Sequence, residues 1–232
     1  MSGGTSASGT LPETQVRAMF DRIARVYDRM NSIMTAGMHH RWRERAADLT
    51  RVGPGSRALD VATGTGDLAI ALARRGASVT GLDFSERMLE LARAKDPRIE
   101  WVQGNALELA FGDAEFDAVT VGFGARNFAD LDRGVAEMTR VTKPGGRVVI
   151  LEITTPERPP LSWFFRLWFD RAIPALGRLA DSEAYTYLPS SVRRFPRAPE
   201  LGAHLAAAGL DDVRWVLTAG GIIAVHSGTR RA

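Results

Sequence analysis

The stretch ALDVATGTGDLAIAL, residues 58–72, decides how this chain folds. An apolar run gives way to small residues and glycines, and an apolar pattern with helical spacing follows it. This order predicts a buried strand, a tight turn and a helix. Asp60 would lie at the end of the strand, where an ionised carboxylate is costly unless another group pairs with it. The loop is therefore expected to face a ligand or a partner group.

Strand-like and helix-like segments alternate outside this stretch. The predicted helices cover residues 66–75, 85–94, 130–141 and 199–209, with Ser85 as the N-cap of the second and a Lys-Pro-Gly-Gly turn at residues 143–146 after the third. The predicted strands cover residues 57–62, 78–83, 99–104, 116–124, 147–153, 211–217 and 222–228. Such alternation is typical of an α/β protein that has a mostly parallel sheet with helices on both faces. Ligands bind such sheets beyond the carboxyl ends of the strands, where Asp60 would lie.

The length and composition predict one domain. The chain has 232 residues, of which 45% are hydrophobic and 25% are charged, as in an average globular protein. Residues 1–12 are rich in Gly, Ser and Thr and lack the regions of a signal peptide, so we interpret them as a disordered leader. Residues 13–232 would form the domain, and the apolar spacing within residues 13–50 predicts N-terminal helices.

The composition also argues against several classes of protein. The basic residues are dispersed and the net charge is only +3, so nothing indicates nucleic-acid binding. The chain has no cysteine, which excludes disulfides and thiolate metal sites and fits a cytoplasmic protein. His39 and His40 have no partners at a metal-binding spacing, so no metal site is predicted. No apolar stretch approaches the roughly 20 residues that would span a bilayer.

The loop and the ends of the next strands supply candidate ligand-binding residues. Gly64 and Gly66 would let the backbone turn sharply and approach a ligand, or they would form an ordinary strand-to-helix turn. Asp83 would end the second strand, where a carboxylate can accept both hydroxyls of a ribose, or it would cap the following helix. Asn105 and Ala106 follow the third strand and would bind an adenine edge, or they would form a plain turn.

Asp60 discriminates between two kinds of cofactor. Folds that bind nicotinamide dinucleotides usually pass directly from an apolar strand into the glycines, because the pyrophosphate is anionic. An acid before the loop better suits a ligand with a cationic part, and S-adenosylmethionine carries an ammonium and a sulfonium. The sequence therefore favours an S-adenosylmethionine site, and the alternative for Asp60 is a carboxylate that caps the amides of the loop.

Six further segments occur in an order that is known from one family. They are FDRIARVYDRMNSIMTAGMHHRWR, LDVATGTGD, FDAVTVGFGARNFAD, RVTKPGGRVVILE, AYTYLPSSVRRFP and LTAGGIIAVHSG. Together they resemble the menaquinone/ubiquinone-biosynthesis C-methyltransferases from about Val16 to Gly228. The YD-x-MN, FG-x-RN and Y-x-YLP-x-S segments are the specific ones, whereas the glycine motif occurs in many enzymes that use S-adenosylmethionine.

The resemblance implies a class I S-adenosylmethionine-dependent methyltransferase fold, which is Rossmann-like with a mostly parallel seven-stranded sheet. It implies methyl transfer from S-adenosylmethionine to a ring carbon of a prenylated quinol. It also places cofactor contacts at Thr65, Asp83, Asn105 and Ala106. Another contact in the family is usually a serine, but this chain has Gly122 there, which leaves at most a backbone contact.

The expected reaction directs attention to three further residues. A quinol carbon becomes nucleophilic as its hydroxyl loses a proton, so the site needs a base, a bound water or a cation that stabilises the phenolate. Arg126 is the candidate cation, and a salt bridge that braces its loop is the alternative. Asn127 would orient the quinol oxygen or cap the next helix. Tyr27, at the predicted end of the first helix, would close over the cofactor or pack in the core.

An aromatic, arginine-containing segment covers residues 160–176. Its aromatic residues cover too much of a helix circumference for one narrow core stripe. By resemblance, we interpret residues 156–200 as a lid over the substrate, with an apolar channel for the isoprenoid tail. The alternatives for the aromatic part are an ordinary buried helix, a homodimer interface and a contact that makes the protein peripheral to a membrane.

The sequence leads to a function with explicit alternatives. We expect demethylmenaquinol as the acceptor, because LPSSVRRFP at residues 188–196 is similar to the menaquinone-making members of the family. Methylation of a ubiquinone-pathway benzoquinol or of another small molecule is the alternative reaction. A non-catalytic S-adenosylmethionine-binding subunit of a quinone-biosynthesis complex is the alternative from another class. A dinucleotide-dependent oxidoreductase is disfavoured by Asp60.

Overall fold

A computed structural model describes residues 13–156, 159, 161–167, 171 and 183–232. The predicted leader and much of the predicted lid lie outside the described residues. The helices are α1 (Glu13–Thr35), α2 (Met38–Thr50), α3 (Asp67–Ala73), α4 (Glu86–Lys95), α5 (Leu131–Val141), α6 (Leu161–Leu167), α7 (Glu183–Arg194) and α8 (Ala198–Ala207). The strands are β1 (Arg57–Val61), β2 (Ser78–Asp83), β3 (Glu100–Gln103), β4 (Phe116–Gly122), β5 (Thr142–Ile153), β6 (Leu210–Thr218) and β7 (Ile223–Arg230).

The strands form one seven-stranded sheet in the order β3-β2-β1-β4-β5-β7-β6. β1 to β5 pair in parallel, and β7 pairs antiparallel with both β5 and β6. The predicted mostly parallel seven-stranded sheet is therefore confirmed. The chain builds outward from β1 to β3 and then returns to the other side of β1 as β4. The strand order thus reverses between β1 and β4, which is where sheets of this kind bind ligands.

Helices cover both faces of the sheet because apolar side chains alternate along the strands. In β5, Val149 and Leu151 belong to a core cluster beneath α2, α3 and α4, whereas Val148 and Ile150 belong to a second cluster beneath α5 and α8. Strands that are buried on both faces read as continuous apolar runs. Asp60 interrupts such a run in β1, and the residues on either side of it in the strand are buried.

Helix α1 is longer than the sequence predicts. It does not end near Tyr27 but continues to Thr35. The hydroxyls of Ser32 and Thr35 donate to carbonyl oxygens four residues earlier, so these polar residues stay within the helix. Met30 and Met34 extend the apolar face by packing on a small cluster formed with α6 and α7. Tyr27 therefore lies within α1 and not at its end.

Strand β5 begins before the position that the sequence predicts. Thr142 already pairs with Phe116, and Arg147 pairs with Ala118, so residues 143–146 form an excursion within the strand. One glycine of this excursion has a φ of +77°, a conformation that glycine adopts without strain. The Lys-Pro-Gly-Gly segment is thus an irregularity inside β5 rather than a turn before it.

Helix α6 contains the described part of the aromatic segment. Phe165 is buried and packs with Val192 of α7 and Met34 of α1. Trp163 and Leu167 lie on another side of the helix and are 64% and 56% exposed. Within the described residues, this pattern is amphipathic and does not fit an ordinary buried helix. None of the described helices is both long enough and apolar enough to cross a membrane.

Candidate functional site

A cavity of about 540 Å³ opens at the carboxyl ends of β1 to β4, where the strand order reverses. Most of the predicted site residues line it together: Tyr27, Asp60, Gly64, Thr65, Asp83, Asn105, Ala106, Gly122 and Asn127. Gly66 and Arg126 are not among the residues that line the cavity. The topology thus brings side chains from four strands and from α1 to one place.

Asp60 lies at the inner wall of the cavity and is almost fully buried. The hydroxyls of Thr63 and Thr120 donate to its two carboxylate oxygens over 2.6 Å each. Burial nevertheless raises the pKa of Asp60 from 3.8 to about 6, against the lowering effect of these hydrogen bonds and of the Arg43 charge. The carboxylate is held in place but incompletely compensated, and a cationic ligand group would stabilise its charged form.

Asp83 ends β2 and accepts hydrogen bonds from loop amides, but it is not the cap of the following helix. Its Oδ2 accepts a hydrogen bond of 2.8 Å from the Gly64 amide, and its Oδ1 accepts one of 2.9 Å from the Ser85 amide. Burial raises its pKa to about 6, although these amides lower it. The Phe84 amide also interacts with this carboxylate. An ionised carboxylate has about four acceptor positions, so acceptor capacity remains for a hydroxyl of a ligand. Ser85 is the N-cap of α4, as predicted.

The glycines of the loop serve different purposes. Gly64 has a φ of +56°, and a Cβ built there would meet no atom within 4 Å, so its backbone borders open space. Gly66 has a φ of +85°, and its Cβ would lie 2.4 Å from the ring of Trp101. Packing and backbone conformation require Gly66, whereas the space beside Gly64 is available to a ligand. A Cβ on Gly122 would approach Leu68 to 3.0 Å, so a serine there would require a small movement of that side chain.

Asn105 and Ala106 form the turn that follows β3. The Asn105 Oδ1 accepts a hydrogen bond of 2.9 Å from the Leu107 amide, which holds the side chain in the turn. Both residues also line the cavity. The turn interpretation is therefore correct, and it places an amide and a backbone N–H at the cavity edge.

A polar network holds α1 against the mouth of the cavity. The Thr65 hydroxyl donates to Asp28 Oδ1 over 2.6 Å, and Lys95 Nζ lies 2.6 Å from Asp28 Oδ2 and 2.7 Å from Asp67 Oδ1. The network joins α1 to the glycine loop, α3 and α4. It fixes the position of Tyr27, which lies in the cavity wall.

Arg126 lies in a short 3-10 helix after β4 and forms the salt bridge that was the alternative interpretation of this residue. Its Nη1 is 2.8 Å from Glu152 Oε1 and donates to the Phe123 carbonyl over 2.6 Å. Its backbone amide also donates to Glu152 over 3.2 Å. The side chains of both charged residues are at least nine-tenths buried. Sequence reasoning missed Glu152, although an acid within the apolar segment VVILEI was a usable signal.

Asn127 follows Arg126 and lines the cavity. Its Oδ1 and the Arg126 Nε are buried and have no hydrogen-bond partner among the described residues. A buried polar atom without a partner is costly, and a ligand can provide the missing bond. Because Asn127 lines the cavity, its Oδ1 marks a place where a ligand hydroxyl could bind, whereas Arg126 is not among the residues that line the cavity.

Arg43 also lines the cavity and was missed by the sequence analysis. It lies on the buried face of α2 together with His39, Ala46 and Ala47. An arginine at helical spacing among buried residues is the signal that could have identified it. Its guanidinium lies over the ring of Phe123, 5.3 Å from the centroid, and Phe123 also lines the cavity.

The side chains of His39, His40 and Asp67 come together beside the cavity, with ligand atoms within 4.8 Å of one another. The sequence predicts no metal site, and we assign none to this group. Asp67 already lies 2.7 Å from Lys95 and 3.8 Å from Arg43. Two cations beside the carboxylate oppose the binding of a third.

Comparisons with known proteins identify relatives of the whole chain. The model of the ubiE/COQ5 methyltransferase family matches residues 9–230. A Thermus thermophilus protein named demethylmenaquinone methyltransferase is 44% identical over 220 residues, which cover 91% of this chain and all of that protein. Proteins of the same name from Mycolicibacterium vanbaalenii and Bacillus licheniformis are 40% and 41% identical, over 93% and 94% of this chain and 95% and 98% of theirs.

Solved structures share the fold at lower identity. The cyclase SpnF is 19% identical with a TM-score of 0.71, over 96% of this chain and 97% of its own. An Aquifex aeolicus protein titled a SAM-dependent methyltransferase is 18% identical with a TM-score of 0.59, over 81% and 88%. At such identities the likeness shows the fold alone. A cyclase among these structures illustrates that this fold does not determine the reaction.

The buried carboxylate of Asp60 generates a prediction about stability. Because the native pKa is raised above 3.8, the free energy of unfolding falls as the pH rises from about 4 to about 6. Asp60→Asn keeps the shape of the side chain and removes the charge. It is expected to stabilise the ligand-free protein above pH 6 by about 2–3 kcal/mol, at about 1.4 kcal/mol per pKa unit. Urea denaturation of both proteins from pH 3.5 to pH 8 measures the difference.

The stabilities of the two proteins are expected to converge as the pH falls to 3.5, because the carboxyl is then mostly protonated in both the folded and the unfolded state. This convergence is the internal control. A difference that stays constant across the pH range would contradict the assignment of a penalised charge to Asp60.

Proposed function

Because the chain belongs to the ubiE/COQ5 methyltransferase family, we propose that it transfers a methyl group from S-adenosylmethionine to a ring carbon of demethylmenaquinol. The observation that carries the proposal is the identity of 40–44% to proteins named demethylmenaquinone methyltransferase over nearly the full length of both chains. The cavity supports it, because it gathers most of the residues that a cofactor of this kind would need.

The residues that would bind the adenine, the ribose and the amino-acid end of S-adenosylmethionine lie at the ends of β3, β2 and β1 in turn. Asn105 and Ala106 follow β3 and would hold the adenine. Asp83 ends β2, where its remaining acceptor capacity suits a ribose hydroxyl. Asp60 in β1 would face the cationic amino-acid end, and the open space beside Gly64 leaves room for the ligand.

When bound, S-adenosylmethionine would supply an electrophilic methyl group attached to a sulfonium. The protein would then act mainly by aligning the methyl donor with the acceptor carbon, because such alignment can provide much of the rate acceleration. The network of Asp28, Thr65 and Lys95 supports this role by holding α1 over the cavity.

Asn127 and Arg126 would act on the acceptor. The Asn127 Oδ1 lacks a partner and would accept a hydrogen bond from a quinol hydroxyl. Glu152 and the Phe123 carbonyl fix the Arg126 guanidinium, whose Nε also lacks a partner and would donate to the oxygen as it becomes a phenolate. The salt bridge and the role in the reaction are compatible, because the first orients the group that performs the second.

We retain residues 156–200 as a proposed lid that covers the acceptor and its isoprenoid tail. Helix α7 packs near the 3-10 helix of Arg126 and against α1, and Phe165 of α6 packs with Val192 of α7. The exposed Trp163 and Leu167 would provide apolar contacts for the tail or for the membrane that contains the substrate.

Methyl transfer from radiolabelled S-adenosylmethionine tests the proposal directly. Reduced demethylmenaquinone and the benzoquinol of the ubiquinone pathway are offered in parallel, each with and without an isoprenoid tail. We expect label in menaquinol and a much lower rate on the tail-free and benzoquinol acceptors. Label in the benzoquinol alone would overturn the substrate, and bound cofactor without label in any acceptor would favour a non-catalytic subunit.

Replacing Arg126 tests its role in the reaction. Arg126→Gln is expected to lower kcat by at least about 100-fold, because a donor to the developing charge is lost, and to leave the affinity for S-adenosylhomocysteine unchanged. Arg133→Gln is the matched control. Arg133 is exposed, and its ion pair with Glu108 is long, at 3.7 Å.

Removal of Arg126 also leaves Glu152 buried without its cation, which can destabilise the fold. The double variant Arg126→Gln/Glu152→Gln removes both charges and is expected to show the same loss of kcat with native-like stability. Near-normal turnover in either variant would limit Arg126 to a structural role.

A further inference from the structure

We propose that Arg43 binds the carboxylate at the amino-acid end of S-adenosylmethionine. This inference rests on the proposed function, and it assigns a role to a residue that ends one of the quoted family segments but received no role in the sequence analysis. Four features support it: the burial of Arg43, the geometry of its contacts, its place along the sheet and the charge of the ligand.

Arg43 is a desolvated cation in the cavity wall. It is 7% exposed and lies on α2, which packs against β4 and β5. Arg17 is the other arginine that lines the cavity among the described residues, and it is exposed on α1. A buried guanidinium is costly unless an anion and several acceptors compensate it.

The protein contacts of Arg43 are long. Its Nη1 donates to the His39 carbonyl over 3.4 Å and lies 3.8 Å from Asp67 Oδ2. Charge-assisted hydrogen bonds normally measure about 2.7–2.9 Å, and a guanidinium has five N–H donors. Asp67 is bound more closely by Lys95, at 2.7 Å. Arg43 therefore retains donor capacity beside the cavity, while its guanidinium packs over the Phe123 ring.

The position of Arg43 matches the distribution of charge along the ligand. Across the sheet order β3-β2-β1-β4, the cavity presents Asn105, then Asp83, then Asp60. Arg43 and Asp60 line the same cavity, and the charge of Arg43 lowers the pKa of Asp60. An amino-acid end carries an ammonium and a carboxylate, for which an acid and a guanidinium together are complementary. The planar guanidinium can also bind a carboxylate through two parallel hydrogen bonds.

The test compares two ligands that differ only in the carboxylate. S-adenosylhomocysteine and its decarboxylated analogue, a 3-thiopropylamine of adenosine, are titrated calorimetrically into wild type, Arg43→Gln, Arg43→Lys and Arg45→Gln. Arg45 is exposed on the same helix and serves as the control. We expect wild type and Arg45→Gln to bind S-adenosylhomocysteine about 10–100-fold more tightly than the analogue, as for a charge-assisted hydrogen-bonded pair.

Arg43→Gln is expected to lose this preference while its affinity for the analogue stays within about twofold of wild type. Arg43→Lys, which keeps the charge without the paired geometry, is expected to retain about a tenth of the preference. An equal weakening of both ligands in Arg43→Gln would overturn the proposal in favour of a structural brace, and so would an unchanged preference in Arg43→Lys. The lysine variant decides the question if the glutamine variant does not fold.

The outcomes also separate this inference from the proposed function. If wild type binds S-adenosylhomocysteine tightly but does not prefer it over the analogue, only the role of Arg43 fails. If wild type binds neither ligand, the cofactor assignment fails and the inference fails with it.

Discussion

Two carboxylates buried at the ends of neighbouring parallel strands constrain the whole site. Burial raises the pKa of both Asp60 and Asp83 to about 6, although threonine hydroxyls hold the first and backbone amides of the glycine loop hold the second. These bonds fix the loop without fully compensating the charges. A ligand that brings cationic groups and hydroxyl donors would complete the site. The same buried charges that favour binding therefore lower the stability of the ligand-free protein.

The rest of the fold serves this arrangement. The reversal of strand order opens a cavity beside the two acids, and the Asp28 network holds α1 across its mouth. Beyond β4, the buried pair of Arg126 and Glu152 fixes a guanidinium near Asn127. The residues proposed for the cofactor and for the acceptor therefore lie at the ends of different strands of one sheet, which suits a reaction that depends on alignment.

The sequence predicted features that local patterns determine. Apolar periodicity located the strands, and the N-cap at Ser85 followed from local chemistry. It did not predict contacts between distant segments. Arg43 lines the cavity because α2 packs beside it, Glu152 meets Arg126 because β5 pairs with β4, and Gly66 is required by the distant ring of Trp101. The sequence analysis ended α1 too early, because the hydroxyl groups in its last turns can form hydrogen bonds to the backbone either within a helix or in a non-helical turn.

The central claim is that the carboxylate of Asp83 anchors S-adenosylmethionine at the end of β2. Calorimetric titration of S-adenosylhomocysteine into wild type and Asp83→Ala tests it most directly, with thermal unfolding to confirm that the variant is folded. The account predicts one site per chain in wild type and an affinity lower by at least about tenfold in the variant, as expected for the loss of charge-assisted hydrogen bonds. Equal affinity in the two proteins would contradict it.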